Sequence, residues 1–491
     1  MHVPRVSGLS FYKARFVLLY LIFLLLLGYL LTSQLGEAPL GLSKAEMDSA
    51  VTSAHLGSAL PMGDTIVNLP YHLLQKASLA LFGLTPLAIK LPSLILAGLT
   101  AIGLVGILRR FFRIGATSIT ALLAIASTPF LLMGRTGTPA ISLSFLSVTL
   151  IIAGAFILAL EKHRLIWKAI AIMAAVCLLY TPLGVYPLLA FVLAAIFHPH
   201  LRYHVTHTRW PEWLALSVLA AAGLSLLVIG AVNQPSVLLS LAGLPPTWPS
   251  WPEIVANLSA LSGNLFNVAS PSFGLSPQPL FGLPLLILIV LGILQIFRDN
   301  FSARAYVLIG WLVVFFVILS VNADHVLDLF VPAVLLLAVG VETLLHEWYK
   351  LFPRNPYARI GAVIPLTILI LGISISEITR YFDGYRYGVD YSNSSYSLAL
   401  KPIEKQLTSL NGQAAALVVP ADQLEFYGLL EQHFDQLTVS DSYVAIDDGK
   451  TVIVLKDSSL IAAYPTEQLS HIIATPLAGQ PLLFGVYQTN Q

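Results

Sequence analysis

Long apolar runs broken by short polar turns occupy the first 380 residues. A bilayer crossing takes roughly 20 mostly apolar residues. Runs of about that length fall at 16–33, 86–108, 115–133, 139–160, 165–181, 183–197, 211–232, 279–297, 305–321, 326–345 and 359–377. The pattern predicts a mainly α, polytopic membrane protein with about eleven transmembrane helices. The first run has basic flanks but no small-residue cleavage site after it, so it reads as an anchor. Past residue 381 the pattern changes. Strand-like runs at 414–419, 451–456 and 482–487 alternate with helix-like segments at 396–410, 421–434 and 459–473. That alternation predicts a small soluble α/β domain at the C-terminus. The expected organisation is a membrane domain over 1–378, with long loops at 34–85 and 233–278, followed by the α/β domain over 381–491.

Composition agrees with the membrane reading. Hydrophobic residues make up 57% of the 491 and charged residues 10%, where a soluble domain carries about 25% charged. The net charge of +1 points away from a nucleic-acid partner. A single cysteine, Cys177, rules out an intrachain disulfide and any CxxC site. It reads as a small buried hydrophobe. No phosphate-binding fingerprint appears, which argues against ATP-driven transport.

Charge decides sidedness. With a cytoplasmic N-terminus, sixteen Lys and Arg fall in inner loops and four, Lys44, Lys76, Lys90 and Arg135, in outer loops before the tail. Cytoplasmic loops accumulate basic residues, so the chain is expected in the cytoplasmic membrane with its C-terminal domain outside. From Arg380 onward six basic residues face twelve acidic ones.

The first outer loop carries the most specific residues. It reads Gly41-Leu42-Ser43-Lys44-Ala45-Glu46-Met47-Asp48, then Asn68-Leu69-Pro70-Tyr71-His72, Leu81-Phe82-Gly83 and Ala88-Ile89-Lys90-Leu91-Pro92-Ser93. With Ser127-Thr128-Pro129-Phe130 through Gly134-Arg135, this order over residues 16–200 resembles the GT-C superfamily of lipid-dependent glycosyltransferases. The similar branch is that of protein O-mannosyltransferases and aminoarabinose transferases. The resemblance implies transfer of a sugar from a polyprenyl-phosphate donor to an acceptor hydroxyl on a glycan, lipid or protein. It also implies an acid after the first span that serves as general base or holds a metal. An adjacent Asp-Glu pair is usual in that family, and here Ala45-Glu46 stands in its place, with Asp48 two residues on. Metal dependence is left open.

Topology supports the same chemistry. Nucleotide sugars are cytoplasmic, so an outer site must draw its donor from the membrane. Transfer then needs a carboxylate to take the acceptor's proton and positive charge on the leaving phosphate. Glu46 and Asp48 are the catalytic candidates. On a helix they point about 200° apart, so only one faces a substrate. Ser43-Lys44-Ala45-Glu46 also fits a capping box, which weighs evenly against catalysis for Glu46. For Asp48 a solvated face is slightly favoured. Arg135, in a short outer turn, is the candidate phosphate clamp, set against snorkelling to headgroups. His72 is a second donor-phosphate candidate, although a structural histidine leads. Asp64, Asn68 and Tyr71 on the same loop, and Asp324 and His325 at the outer start of a late span with Asp328 one turn on, are candidate substrate contacts. His198, His200, His204 and His207 suggest a metal cluster but fall in an inner loop without matched acids, where a solvated turn is the better reading. Gly98, Gly103 and Gly106 read as helix-packing positions.

Two other functions fit the sequence. A catalytically silent GT-C-like scaffold of cell-envelope assembly is supported by the missing Asp. A transporter of lipid-linked glycan calls for paired repeats and mid-membrane charges, and neither is visible.

Overall fold

The structure is a computed structural model. It describes residues 7–57, 65–159, 164–197, 202–203, 206, 208–274, 277–298, 303–351, 356–389, 396–410, 412–447, 450–456, 458, 460–474 and 483–488. Apolar runs fold as helices where the hydropathy pattern puts them, among them Ser7–Thr32, Pro86–Phe111, Trp210–Asn233 and Phe330–Lys350. Among the described residues five helices are long and apolar enough to cross a membrane, or six if one bent pair counts as a span. Four shorter apolar helices, Val17–Thr32, Leu165–Leu179, Leu283–Arg298 and Leu308–Val321, accompany them.

Two spans depart from the simple pattern. The run at 115–133 is broken into Ile114–Ala126 and Thr128–Arg135, bent by 56°. Ser127 at the joint is extended (φ −69°, ψ 142°). Pro129, in the first turn of the second helix, explains the break, because it lacks the N–H that would continue the ladder of the first helix. The last apolar run does not stop at 377. It continues as one helix, Pro356–Tyr387, about 48 Å long at 1.5 Å per residue. The hydrocarbon core is only about 30 Å thick, so this helix projects beyond it and carries Glu377 and Arg380.

The C-terminal part holds a five-stranded mixed sheet. Its strands are β3 (Ala415–Val418), β4 (Leu437–Ser440), β5 (Thr451–Leu455), β6 (Leu469–Ile473) and β7 (Phe484–Tyr487), in the order β4-β3-β5-β7-β6. β3 pairs parallel with β4 and β5, and β7 antiparallel with β5 and β6. The three expected strands are the three central ones, and all their residues are buried. The expected helix at 459–473 does not form. Pro465 interrupts it, and 469–473 becomes edge strand β6 against β7. The short strand β4 was not legible in advance.

A small antiparallel pair, β1 (Leu42–Ser43) with β2 (Tyr396–Ser397), ties the first loop to the C-terminal part. Gly41 makes that tie possible. It has φ +78°, and a Cβ there would strike the Ser397 carbonyl, a combination only glycine tolerates. One apolar core then joins Met47, Ala50 and Val51 of helix Lys44–Ala54 to Ile403, Phe426, Leu417, Ile453 and Val486. The same end of the bundle gathers the other loops. Asn68 N–H donates to the Tyr180 carbonyl, Leu183 N–H to the Leu241 carbonyl, Asn322 to the Gly243 carbonyl and the Tyr381 hydroxyl to the Ala38 carbonyl. Among the described residues, this sheet-bearing end holds Glu46, Asp48, Asn68, Tyr71, His72 and Arg135.

Candidate active site at the sheet-bearing end

Glu46 begins the helix Lys44–Ala54, and its first duty is local. The Ser43 amide donates to Oε2 at 2.8 Å and the Ser43 hydroxyl at 3.1 Å, while the Glu46 amide donates back to the Ser43 hydroxyl at 3.3 Å. That is the full capping box. Oε1 accepts the Gly137 amide at 2.7 Å and lies 3.7 Å from Lys90 Nζ. Lys90 in turn donates to the Gly41 carbonyl at 3.2 Å. Glu46 is 0% and Lys90 1% exposed. A buried ion pair holds only when its remaining lone pairs and protons are also satisfied, and here backbone groups satisfy them. Gly137 permits the approach, because a side chain at this position would collide with Ile89.

Around this pair runs a second layer of buried polar contacts. Gln75 accepts from the Ser49 and Ser53 hydroxyls and donates to the carbonyls of Ile89 and Gly137. His72 Nδ1 lies 2.8 Å from the Ser53 hydroxyl, and burial pushes its pKa down to about 4. The Tyr71 hydroxyl meets Ser93, whose hydroxyl donates to the Thr138 carbonyl. Burial, ahead of any other influence, raises the Tyr71 pKa. Asn68 takes the left-handed conformation (φ +59°) that precedes helix Leu69–Phe82, a backbone role suited to asparagine. Asp64 lies outside the described residues, as do His198, His200, His204 and His207.

Arg135, the candidate phosphate clamp, is taken up by backbone contacts. It is wholly buried, and its guanidinium donates to five carbonyl contacts: Leu30 at 2.6 Å, Leu31 at 3.4 Å, Gln34 at 2.9 Å, and Ala38 at 3.2 and 3.3 Å. Tyr381 and Phe382 cover it with ring centroids at 5.5 and 4.8 Å. The last carbonyls of a helix lack intrahelical partners, and Arg135 closes those at the end of Ser7–Thr32. Glu46 and Arg135 are each buried in their own backbone contacts, and the structure does not bring them together with Asp48 in one cavity. Asp48 is exposed on the opposite face of its helix. Its pKa is raised first by partial burial; Lys44 opposes this, and Asp422 and Glu425 of the C-terminal part add to it.

Asp324 and His325 are brought together with other polar groups. They line a cavity of about 430 Å³ with Ser240, Pro245, Pro246 and Asn257, within the roughly 300–1,000 Å³ of small-molecule sites. The segment Ala323–Leu329 is a pair of short 3₁₀ turns joined at a kink, where His325 itself leaves the helical region (φ −85°, ψ 18°). That geometry sets His325 Nδ1 3.1 Å from Asp328 Oδ2. Asn322 caps the first turn, accepting the Asp324 amide at 3.2 Å. Asn257 fixes the cavity wall by donating to the carbonyls of Ser320 and Val321.

Comparison with known proteins places this architecture. A model of the dolichyl-phosphate-mannose-protein mannosyltransferase family matches residues 69–228. The structure of ArnT from Cupriavidus metallidurans bound to undecaprenyl phosphate superposes over 95% of this chain and 97% of its own, with a TM-score of 0.52 and 12% identity. The two chains share a fold. The apo structure of the same ArnT covers 98% of each chain at 13% identity and a TM-score of 0.42. No curated protein matches by sequence.

Within this fold one charged pair escaped the sequence reading. Glu377 is buried, and neither of its oxygens accepts a well-formed hydrogen bond among the described residues. Arg380 Nη1 is 3.6 Å away and donates to the Thr128 hydroxyl at 2.9 Å, while Nη2 donates to the Pro279 carbonyl. Glu377 packs against Gly282, leaving no room for a side chain there. The signal was available as an acid and a base three apart near the end of an apolar run. No three His, Cys, Asp or Glu side chains converge as a metal site among the described residues.

Proposed function

We propose that this chain is a membrane glycosyltransferase that moves a sugar from a polyprenyl-phosphate-linked donor to an acceptor at the extracytoplasmic face. The observation that carries the proposal is the co-extensive fold, shared end to end with a protein bound to undecaprenyl phosphate. The family match over 69–228 supports it, as does the sixteen-to-four basic asymmetry, which sets the sheet-bearing end outside. Exposed Trp248 and Trp251, a few residues after the cavity-lining Pro245 and Pro246, suit a bilayer interface. The acceptor is a hydroxyl of a glycan, lipid or protein, and the C-terminal α/β part, over 381–491, faces it. Sugar transfer from a panel of polyprenyl-phosphate sugars, measured with the purified protein in liposomes, tests the proposal. Transfer from at least one donor is the expected result.

One observation favours a second reading, a catalytically silent member of the fold. The first-loop acid that the family resemblance marks as base or metal ligand is sealed, and Ala45 replaces its usual neighbour. If the wild type binds such lipids but transfers from none, the silent reading is the better one.

A further inference from the structure

Glu46 is sealed by its partners, and Asp48, though exposed, lies on the opposite face of its helix beside the acids Asp422 and Glu425. The Asp324–His325 cavity offers another base. His325 lines the cavity, and its Nδ1 is held by Asp328 at 3.1 Å. With the proton on Nδ1 donated to Asp328, the tautomer is fixed and Nε2 keeps its lone pair. Nε2 has no hydrogen-bond partner among the described residues. Asp328 does not line the cavity, and both side chains are largely buried, 14% exposed for Asp328 and 19% for His325. A base oriented by a shielded carboxylate is the arrangement general-base catalysis needs. The kink at His325 brings it to Asp328, and the Asn322 cap pins the start of the segment. The cavity wall is rich in polar groups, with Ser240, Asn257, Asn322 and Asp324 around it. The Asp324 side chain makes no hydrogen bond or ion pair among the described residues and is free to bind hydroxyls.

We infer that His325 is the general base of sugar transfer, Asp328 its positioning residue, and the Asp324 cavity the binding site of a hydroxyl-rich acceptor. This rests on the glycosyltransferase reading. In the step, the acceptor oxygen bonds to the anomeric carbon as the bond from that carbon to the donor phosphate oxygen breaks. The hydroxyl proton passes to His325 Nε2, the bonding pair leaves with the polyprenyl phosphate, and the imidazolium is stabilised by Asp328 until it returns the proton to water.

The test is sugar transfer in liposomes by the full chain with His325→Gln, His325→Ala and Asp328→Asn, alongside melting temperature and donor-lipid binding for each. The expected result is a fall in kcat of about a hundredfold or more for His325→Gln, with donor binding and melting kept. Added imidazole restores part of the rate to His325→Ala, which a structural histidine would not allow. Asp328→Asn lowers kcat more than it raises KM. If Asp328→Asn fails to fold, the two His325 variants decide. A wild type that transfers sugar while His325→Gln stays within threefold of it overturns the inference and leaves the glycosyltransferase reading standing. A wild type that transfers from no donor overturns both.

Discussion

Two clusters of polar side chains sit at the same end of this bundle and behave in opposite ways. Around Glu46, Lys90 and Arg135 every charge is buried and matched by backbone groups. Around Asp324 and His325 the groups line an open cavity, and their hydrogen-bonding capacity is only partly used. Charges that are fully satisfied out of water hold elements in place. A charge with a free lone pair beside a cavity is available for chemistry. Residue type alone does not separate the two, since each cluster offers an acid and a nitrogen base.

The largest effect is expected from Arg135→Ala. It removes the donors that close the end of the first helix and opens a cavity against Tyr381 and Phe382. The cost should be about 3–5 kcal/mol, read as loss of folded protein or a large drop in melting temperature. Arg135→Lys recovers only part, because an ammonium lacks the planar fork. If Arg135→Ala keeps the wild-type melting temperature, the sealed cluster is not structural.

Glu46→Gln comes next. Loss of a cap alone costs about 1 kcal/mol, but here it also strands Lys90, and breaking a buried pair costs roughly 3–5 kcal/mol. Pairing it with Lys90→Met should regain most of the loss, since hydrophobic replacement of a buried pair is often neutral. A double variant no more stable than Glu46→Gln would show that the two charges are not coupled.

His72 gives a pH signature. Its pKa is near 4 when folded against about 6.5 unfolded. Above pH 6.5 the ring is neutral in both states. Below it the unfolded chain takes up a proton that the folded chain refuses, so stability falls from about pH 6.5 down to about 4. The accumulated loss is roughly 3 kcal/mol. His72→Asn should flatten that slope in thermal melts taken across the range. An unchanged slope would place the titration elsewhere.

Asp48→Asn should do least. Asp48 is exposed, and its raised pKa comes from partial burial and from the facing Asp422 and Glu425. Neutralising it shifts stability by under about 0.5 kcal/mol, toward gain. A large loss of transfer at unchanged stability would return Asp48 to the site.

The bundle was legible from hydropathy because burial in lipid leaves long apolar runs, and the ends of most helices fall within a few residues of them. What stayed hidden depends on tertiary contact. The break at Ser127 looks like continuous apolar sequence unless Pro129 is given weight. The edge strand β6 reads as helix until β7 pairs with it. Charge ended the last span early on paper, which hid Glu377 and Arg380. The capping box of Glu46 was readable from four residues, whereas its partners Lys90 and Gly137 come from distant elements. The His325–Asp328 contact was within reach of sequence as an acid three residues on, but the kink at His325 that shapes it was not.

The comparison between sealed and open clusters is tested most directly by measuring sugar transfer for His325→Gln and Glu46→Gln side by side, each normalised to its folded fraction. The account predicts a loss of about a hundredfold or more for His325→Gln, and for Glu46→Gln a loss explained by its lower folded fraction. The reverse pattern, with His325→Gln active and folded Glu46→Gln dead, would contradict it.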